Sequence, residues 1–115
     1  MFRTTSKTVA TALLCATGLM TSVTAHAAEA TASLAIKNHR FEPAELSIPA
    51  NQRVKITVTN HDNTPEEIES HAMRVEKVIP GGRSAVVYVG PLKPGSYEFE
   101  GEFNKESAHG IVIAK

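Results

Sequence analysis

The stretch Val54-Lys-Ile-Thr-Val-Thr59 decides the fold class, because its apolar and polar residues alternate with a period of two. In an extended chain, the two valines and the isoleucine fall on one face and the lysine and threonines on the other. A half-buried strand shows this pattern, with its apolar face on a core and its polar face towards solvent. The stretch therefore predicts a β-strand in a sheet that covers a hydrophobic core.

Short strands of the same kind are predicted along the rest of the chain. They fall at residues 33–37, 45–48, 85–89, 97–100 and 111–114. Residues 85–89 are almost wholly apolar, which predicts a central strand covered on both faces. Pro80-Gly-Gly82 and Pro94-Gly95 mark turns, because proline presets φ and glycine supplies positive φ. No stretch has the spacing of an amphipathic helix, although residues 103–109 can form a short turn.

Seven or eight short strands in a chain without tryptophan predict an all-β fold in which two antiparallel sheets pack as a sandwich. Tyr97 follows the Pro94-Gly95 turn and opens a late strand. A tyrosine corner has this arrangement, and its hydroxyl bonds back to the upstream backbone. We therefore interpret Tyr97 as a structural residue.

Residues 1–27 have the features of a secretory signal peptide. Two cations, Arg3 and Lys7, precede an apolar run, and the small residues of Ala25-His-Ala27 predict cleavage after Ala27. The apolar run is too short and too rich in threonine and serine for a stable membrane span. The sequence therefore predicts a periplasmic protein with one domain, residues 28–115.

The composition argues against several classes of protein. The 115 residues contain one cysteine, Cys15, which lies in the signal, so the domain is not a disulfide scaffold. Without Arg3 and Lys7, ten cations remain against twelve acids, and this net charge of about −2 argues against a nucleic acid or an anionic membrane as partner. No serine lies in a nucleophile-elbow motif, and residues 28–115 offer no cysteine nucleophile, so no hydrolytic activity is indicated.

Side chains that can bind a metal are concentrated in residues 60–77 and 97–110. These side chains are Glu66, Glu67, Glu69, His71, Met73, Glu76, Glu102, Glu106 and His109. Loops cluster at one end of a sandwich, so we expect the two segments to meet there. Glu67, Glu69 and His71 share one strand face by parity. A glycine at a strand end often marks a bulge that redirects the next side chain, which here is Glu102.

The order of the motifs resembles that of the cupredoxins. Asn60-x-Asp62 and Pro65 precede a strand, and Pro94-Gly-Ser-Tyr-Glu-Phe99 leads into a loop before the last strand. Cupredoxins that carry electrons hold copper with a histidine after the early proline and with a cysteine, a histidine and a methionine in the last loop. The corresponding positions here read Glu66 or Glu67, Gly101, Asn104 and a residue near His109. A blue-copper centre needs the cysteine thiolate, so the sequence excludes a blue-copper centre.

A closer resemblance is to the cysteine-free cupredoxin-like proteins of bacterial iron-permease systems, which include the EfeO-type cupredoxin-like domain. These proteins share the patterns E-F-E-S, E-K and G-P-L-K-P-G-x-Y-x-F-x-G-E-F-H. The chain reads Glu67-Ile-Glu-Ser70, Glu76-Lys77 and Gly90-Pro-Leu-Lys-Pro-Gly-Ser-Tyr-Glu-Phe-Glu-Gly-Glu-Phe103, with Asn104 in place of the last histidine. The resemblance covers nearly all of residues 28–115 and implies a cupredoxin-like Greek-key β-sandwich.

The resemblance and the types of donor together predict a metal site. The predicted ligands are Glu67, Glu69, His71, Glu76, Glu102 and His109. Carboxylates with one or two imidazoles suit copper(II) and iron. Taken singly, a glutamate on a strand face more often serves solubility, and Met73 is more often a core residue than a ligand. The family pattern favours a metal site for the four glutamates as a set.

The function implied by this resemblance is assistance to iron uptake. The protein would bind Cu(II) or iron and assist the capture or oxidation of Fe(II) ahead of a membrane iron permease and its accessory proteins, without stable insertion of its domain into the membrane. An alternative is a β-sandwich without metal that acts as an interaction module or as an accessory subunit of a membrane complex. A third hypothesis is copper trafficking through His71 and Met73, although selectivity for Cu(I) would need more soft ligands.

Overall fold

The computed structural model of the protein describes residues 12–15, 18–25 and 28–115. The first two segments contain no helix or strand, and their large apolar side chains, such as Leu13 and Met20, are exposed. The cations of the predicted signal peptide and its cleavage position at Ala27 lie outside the described residues. Within the three described ranges, no helix has the length and apolar character needed to cross a bilayer.

Nine strands and one short 3-10 helix make up the regular structure of residues 28–115. The strands are β1 (Ala30–Lys37), β2 (Arg40–Glu42), β3 (Glu45–Ile48), β4 (Val54–Asn60), β5 (Glu66–Ser70), β6 (Val75–Ile79), β7 (Ser84–Val89), β8 (Gly95–Gly101) and β9 (His109–Ala114), and the 3-10 helix is Glu102–Asn104. The predicted all-β class is confirmed. The count exceeds the predicted seven to eight because the short β2 folds back on β1 through Asn38 and His39, which both have positive φ.

The strands form two sheets that enclose the core between them. One sheet has the strand order β2-β1-β4-β7, and the other has the order β3-β9-β8-β5-β6. The sheets are mixed rather than antiparallel throughout as predicted, because β1 runs parallel to β4 and β3 runs parallel to β9. These parallel pairs arise where strands distant in the chain come together as neighbours.

The prediction that residues 85–89 form a central strand is wrong, because β7 lies at the edge of its sheet. Val86 and Tyr88 point outward and are exposed, whereas Val87 and Val89 point into the core. The Arg53 guanidinium lies 3.9 Å from the centre of the Tyr88 ring and covers part of it. Val86 and Tyr88, on the outer face of this edge strand, therefore gave the segment the composition of a buried strand.

The inner faces of the two sheets bury one hydrophobic core. Its side chains are Leu34, Ile36, Phe41, Leu46, Ile48, Val54, Ile56, Val58, Ile68, Met73, Val75, Ile79, Val87, Val89, Phe99, Ala108, Val112 and Ala114. In β4, the two valines and the isoleucine are buried, as the alternation predicts. Phe41 of one sheet meets Phe99 of the other edge to face, with ring centroids 4.9 Å apart. This contact joins the sheets directly behind β8.

Two turns are fixed by side-chain hydrogen bonds. The Tyr97 hydroxyl donates to the carbonyl oxygen of Lys93 at 2.7 Å, which confirms the tyrosine corner. The Asp62 carboxylate accepts hydrogen bonds from the backbone N–H groups of Asn38 and His39 at 2.8 and 2.9 Å. The bond from His39 lowers the pKa of Asp62. Tyr97 and Asp62 therefore serve the fold.

Candidate metal centre

A row of acidic residues crosses the outward face of the five-stranded sheet. Glu76 of β6 pairs with Glu69 of β5. Glu69 pairs in turn with Glu100 of β8, and Glu100 pairs with His109 of β9. Residues that lie directly opposite on neighbouring strands have side chains on the same face, and like charges in such positions repel each other. Four adjacent strands therefore bring carboxylates and an imidazole to one surface, which favours a proton or a cation between them.

Glu69, Glu100 and Glu102 form the carboxylate centre of this surface. Each offers one carboxylate oxygen, and the three atoms lie within 4.8 Å of one another. Oxygens on opposite sides of an ion with bonds of about 2.1 Å are about 4.2 Å apart, so this spacing is compatible with a bound metal ion. Oε2 of Glu102 is buried and accepts no hydrogen bond from any N–H or hydroxyl group of the described residues. A buried acceptor without a donor is unfavourable, and either a proton on Glu69 or a bound cation would remove this deficit.

Glu69 and Glu102 lie close enough for each to change the pKa of the other. The hydrogen bond with Glu102, together with partial desolvation, raises the pKa of Glu69. Hydrogen bonds from Glu69 and Lys105 lower the pKa of Glu102. Two adjacent carboxyl groups behave in this way because only one of them ionises readily. As the pH falls, Glu69 therefore takes up a proton before Glu102 does, and a metal ion at this position would compete with that proton.

Two nitrogen groups flank the carboxylate centre. Nζ of Lys105 lies 3.1 Å from Oε1 of Glu102 and 4.0 Å from Oε1 of Glu100. Nε2 of His71 lies 3.3 Å from Oε1 of Glu69. The His71 side chain is 96% exposed, so its ring can turn towards an ion beside Glu69, and imidazole is the commonest metal ligand among side chains.

An open cleft of about 620 Å³ runs along the same face of the sheet. Its charged and imidazole lining consists of Glu69, His71, Glu98, Glu100 and His109. Both histidines predicted as ligands therefore line one cleft, together with Glu69 and Glu100 of the carboxylate centre.

Glu66 fills the inner side of this region as a buried carboxylate. Its side chain is 1% exposed and points into the sandwich. Oε1 of Glu66 accepts a hydrogen bond from the backbone N–H of Phe103 at 2.9 Å, and Oε2 accepts one from the side-chain amide of Asn104 at 2.6 Å. These bonds fasten the 3-10 helix to β5, and they hold Glu102 at the position where it meets Glu69.

Gly101 makes room for Glu66 rather than forming the predicted bulge. Its backbone is extended, with φ −91° and ψ 109°, and it pairs in register with Ile68. A Cβ atom at this position would lie 2.6 Å from Cβ of Ala108 and 2.7 Å from Cδ of Glu66. Atoms do not approach so closely without rearrangement, so no larger residue fits here. The position that the resemblance to cupredoxins assigns to the copper-binding cysteine is therefore closed by internal packing.

The structure brings four of the six predicted ligands together. Glu69 and Glu102 belong to the carboxylate centre. His71 contacts Glu69, and His109 lines the adjoining cleft. Their meeting point is the outward face of a sheet, where β8 ends and the 3-10 helix begins, rather than a cluster of loops.

The other two predicted ligands form a separate pair beside the centre. Partial desolvation and a hydrogen bond with Glu76 raise the pKa of Glu67. Neither residue offers an oxygen within the 4.8 Å group. Met73 is buried in the core, with 7% of its surface exposed. Its thioether is therefore not presented to solvent beside His71, which removes the basis for copper trafficking through these two residues.

Glu100 is a member of the centre that the sequence analysis did not include among the ligands. Alternation in β8 already places Glu98 and Glu100 on the outward face. The missing information was the register with β5, which sets Glu100 opposite Glu69. A search for acidic residues on one face of two strands would have selected it only if the pairing of those strands were known.

Comparisons with known proteins agree with this architecture. The profile of the family described as Cupredoxin-like domain matches residues 10–114. The uncharacterized protein RP394 of Rickettsia prowazekii (strain Madrid E) is 36% identical over 80 residues, which are 70% of this chain. The match covers 64% of that relative, so the chain corresponds to less than two thirds of its length.

Solved structures similar to this chain include a cupredoxin and a copper protein. One is described as a novel purple cupredoxin from Nitrosopumilus maritimus, with a TM-score of 0.59 and 20% identity, covering 73% of this chain and 99% of that one. Another is auracyanin A, a "blue" copper protein from Chloroflexus aurantiacus, with a TM-score of 0.61 and 13% identity, covering 76% of this chain and 100% of that one. At these identities the likeness concerns the fold, and it agrees with the sandwich predicted from the sequence.

Proposed function

Because the chain belongs to the family of cupredoxin-like domains, we propose that it binds a transition-metal ion, Cu(II) or iron, at the carboxylate centre. The observation that carries the proposal is the approach of carboxylate oxygens of Glu69, Glu100 and Glu102 to within 4.8 Å. The cupredoxin fold often holds copper, which supports a metal in this one. His71 would supply a nitrogen ligand from the rim.

The donors decide which ions fit. Carboxylate oxygen and imidazole nitrogen suit Cu(II), Fe(II) and Fe(III), whereas Cu(I) prefers thiolate and thioether sulfur. Residues 28–115 contain no cysteine, and the methionine nearest to His71 in the chain, Met73, lies in the core. The site therefore fits a harder ion, and it does not fit a blue-copper centre.

The proposed role of this binding is iron acquisition outside the cytoplasm. The protein would capture the ion and deliver it to a membrane iron permease or to an accessory protein of that permease. Two features support the role: the E-x-E-S and G-P-L-K-P-G patterns shared with proteins of iron-permease systems, and the signal-peptide features of residues 1–27. The cleft beside the carboxylate centre is open, so a partner could reach a bound ion.

Titration of the purified protein with Cu(II), Fe(II) and Fe(III) tests the binding. The titration is done in a Cys15→Ser background, because the chain's one thiol could otherwise bind copper itself. We expect a Kd below about 100 μM for at least one of the three ions, which corresponds to about −5.5 kcal/mol. No binding in this range by any of the ions would overturn the proposal.

Substitutions locate the binding. Glu69→Gln and Glu100→Gln each keep the shape of the side chain but remove a negative ligand. We expect each to weaken binding by at least about tenfold. Loss of a residue that only hydrogen-bonds to a metal ligand already costs this much. Glu42→Gln is the matched control, because Glu42 is an exposed glutamate on β2 in the other sheet. Equal effects of all three substitutions would place the metal elsewhere.

A growth assay tests the role in iron acquisition. A strain that lacks the protein should grow slowly when iron is scarce, and the wild-type chain and Glu42→Gln should restore growth. Glu69→Gln should fail to restore it while accumulating to the same level. Full restoration of growth by Glu69→Gln would show that growth on scarce iron does not require the carboxylate centre.

A further inference from the structure

Lys105 places an ammonium group on the carboxylate centre itself. Its Nζ atom lies 3.1 Å from Oε1 of Glu102 and 4.0 Å from Oε1 of Glu100. A lysine ammonium ordinarily has a pKa of about 10.4, so the group is a cation at neutral pH. Two of the three carboxylates proposed to bind a metal therefore already have a cation beside them.

The backbone that carries Lys105 is held in place from several sides. Glu66 binds Phe103 and Asn104 immediately before it. After it, the Asn104 carbonyl accepts hydrogen bonds from the N–H groups of Ser107 and Ala108 at 3.1 and 2.9 Å. The backbone of residue 105 is therefore fixed.

The Lys105 side chain, in contrast, is 55% exposed. It has four rotatable methylene groups, and its ammonium is hydrated readily. The charge can therefore leave the centre for solvent without any change in the backbone.

We propose that the Lys105 ammonium is an internal competitor for the carboxylate centre: it neutralises Glu100 and Glu102 until a metal ion displaces it, and it thereby weakens the affinity of the site for cations. This inference rests on the proposed function. A tethered ammonium offers one positive charge and only hydrogen bonds, so an ion that binds carboxylates directly displaces it, whereas a weakly binding cation does not. Lys105 would in this way restrict the site to ions with strong affinity for oxygen donors and would ease the release of the ion to a partner.

Affinity measurements on matched variants test the inference. The Kd values for Cu(II) and Fe(II) are compared among the wild type, Lys105→Gln, Lys105→Arg and Lys37→Gln, all with Cys15→Ser. Lys37→Gln is the control for net charge, because Lys37 is exposed on β1 in the other sheet. We expect Lys105→Gln to tighten binding by about two- to fivefold, the range expected for an exposed ion pair. The Kd of Lys105→Arg should equal that of the wild type. The Kd of Lys37→Gln should also stay close to the wild-type value, because salt screens a charge in the other sheet.

A second measurement follows the displaced ammonium directly. The wild-type protein is treated with an amine-modifying reagent, with and without saturating metal, and the modification of each lysine is read by mass spectrometry. Lys105 should become more reactive when the metal is bound, while Lys37 should not change.

The outcomes separate this inference from the proposed function. If the wild type binds metal and Lys105→Gln binds no more tightly than Lys37→Gln, the inference alone is overturned. Unchanged reactivity of Lys105 in the presence of metal would also overturn it. If only Lys105→Gln binds metal, no ion displaces the ammonium in the wild type, and both the inference and the proposed function fail. If no variant binds metal, both fail.

Discussion

Glu66 and Glu67 are neighbouring glutamates in opposite environments, and they have different roles. Glu66 is buried and accepts hydrogen bonds from Phe103 and Asn104, so it holds the last loop in place. Glu67 points outward, and Glu76 lies close enough to raise its pKa. One glutamate therefore stabilises the fold, and the next contributes to the acidic surface.

This difference predicts unequal effects of two matched substitutions. We expect Glu66→Ala to lower the free energy of unfolding by about 2–4 kcal/mol, because the donors of Phe103 and Asn104 lose their acceptor. Glu67→Ala should leave the stability nearly unchanged or raise it, since it relieves repulsion with Glu76. Urea denaturation followed by circular dichroism, without metal, measures both. Equal losses of stability would show that Glu66 does not anchor the loop.

The opposite pKa shifts of Glu69 and Glu102 predict how stability depends on pH. The pKa of Glu69 is raised above its ordinary value of 4.5, so the folded chain binds this proton more tightly than the unfolded chain. Its contribution to stability is present at low pH and is lost as the pH rises through the raised pKa. Glu102 has a lowered pKa, so its contribution is lost as the pH falls below 4.5. The two effects occupy separate ranges of pH.

Thermal melts of the metal-free protein at a series of pH values above 4.5 test this prediction. The melting temperature of Glu69→Gln should fall less with rising pH than that of the wild type, because glutamine has no proton to lose. Glu42→Gln should follow the wild type. Parallel curves for all three proteins would contradict a raised pKa of Glu69 in the folded chain.

At the scale of strands, periodicity predicted the faces well and the sheet order poorly. Alternation in β4 correctly placed Val54, Ile56 and Val58 in the core. The same argument failed for β7, because Val86 and Tyr88 are apolar on an exposed edge. A local pattern shows which residues share a face, but it does not show what lies against that face.

The register between strands brings Glu100 into the carboxylate centre, which the sequence alone could not predict. Glu69 and Glu102 were expected to converge, and they do. Glu100 joins them only because β5 and β8, which are not consecutive, pair with Glu69 opposite Glu100. A slip of one residue would turn Glu100 to the other face. Side-chain chemistry was therefore readable from the sequence, and the long-range pairing was not.

The tyrosine corner gives a test at the same scale. Tyr97→Phe removes the hydrogen bond to the Lys93 carbonyl, and we expect a loss of about 0.5–1.5 kcal/mol in the free energy of unfolding. Tyr88→Phe is the matched control, because the Tyr88 ring lies exposed on the edge strand, and it should change the stability little. Metal affinity should be the same in both variants. A stability of Tyr97→Phe equal to that of the control would show that the corner does not hold β8.

On the scale of the whole molecule, the sandwich separates stability from function. The core between the sheets, the buried Glu66 and the tyrosine corner hold the fold. The outward face of the five-stranded sheet carries the carboxylate centre and the cleft. This division lets a cupredoxin-like domain without a cysteine present a cluster of carboxylates on its outer face.

The most direct test is an anomalous difference map from crystals of the protein loaded with Cu(II) or iron, recorded at the absorption edge of the metal. A peak about 2.0–2.2 Å from oxygens of Glu69, Glu100 and Glu102 is the expected result. Under saturating metal, a peak at any other position, or no ordered peak in the described domain, would contradict metal binding by the carboxylate centre.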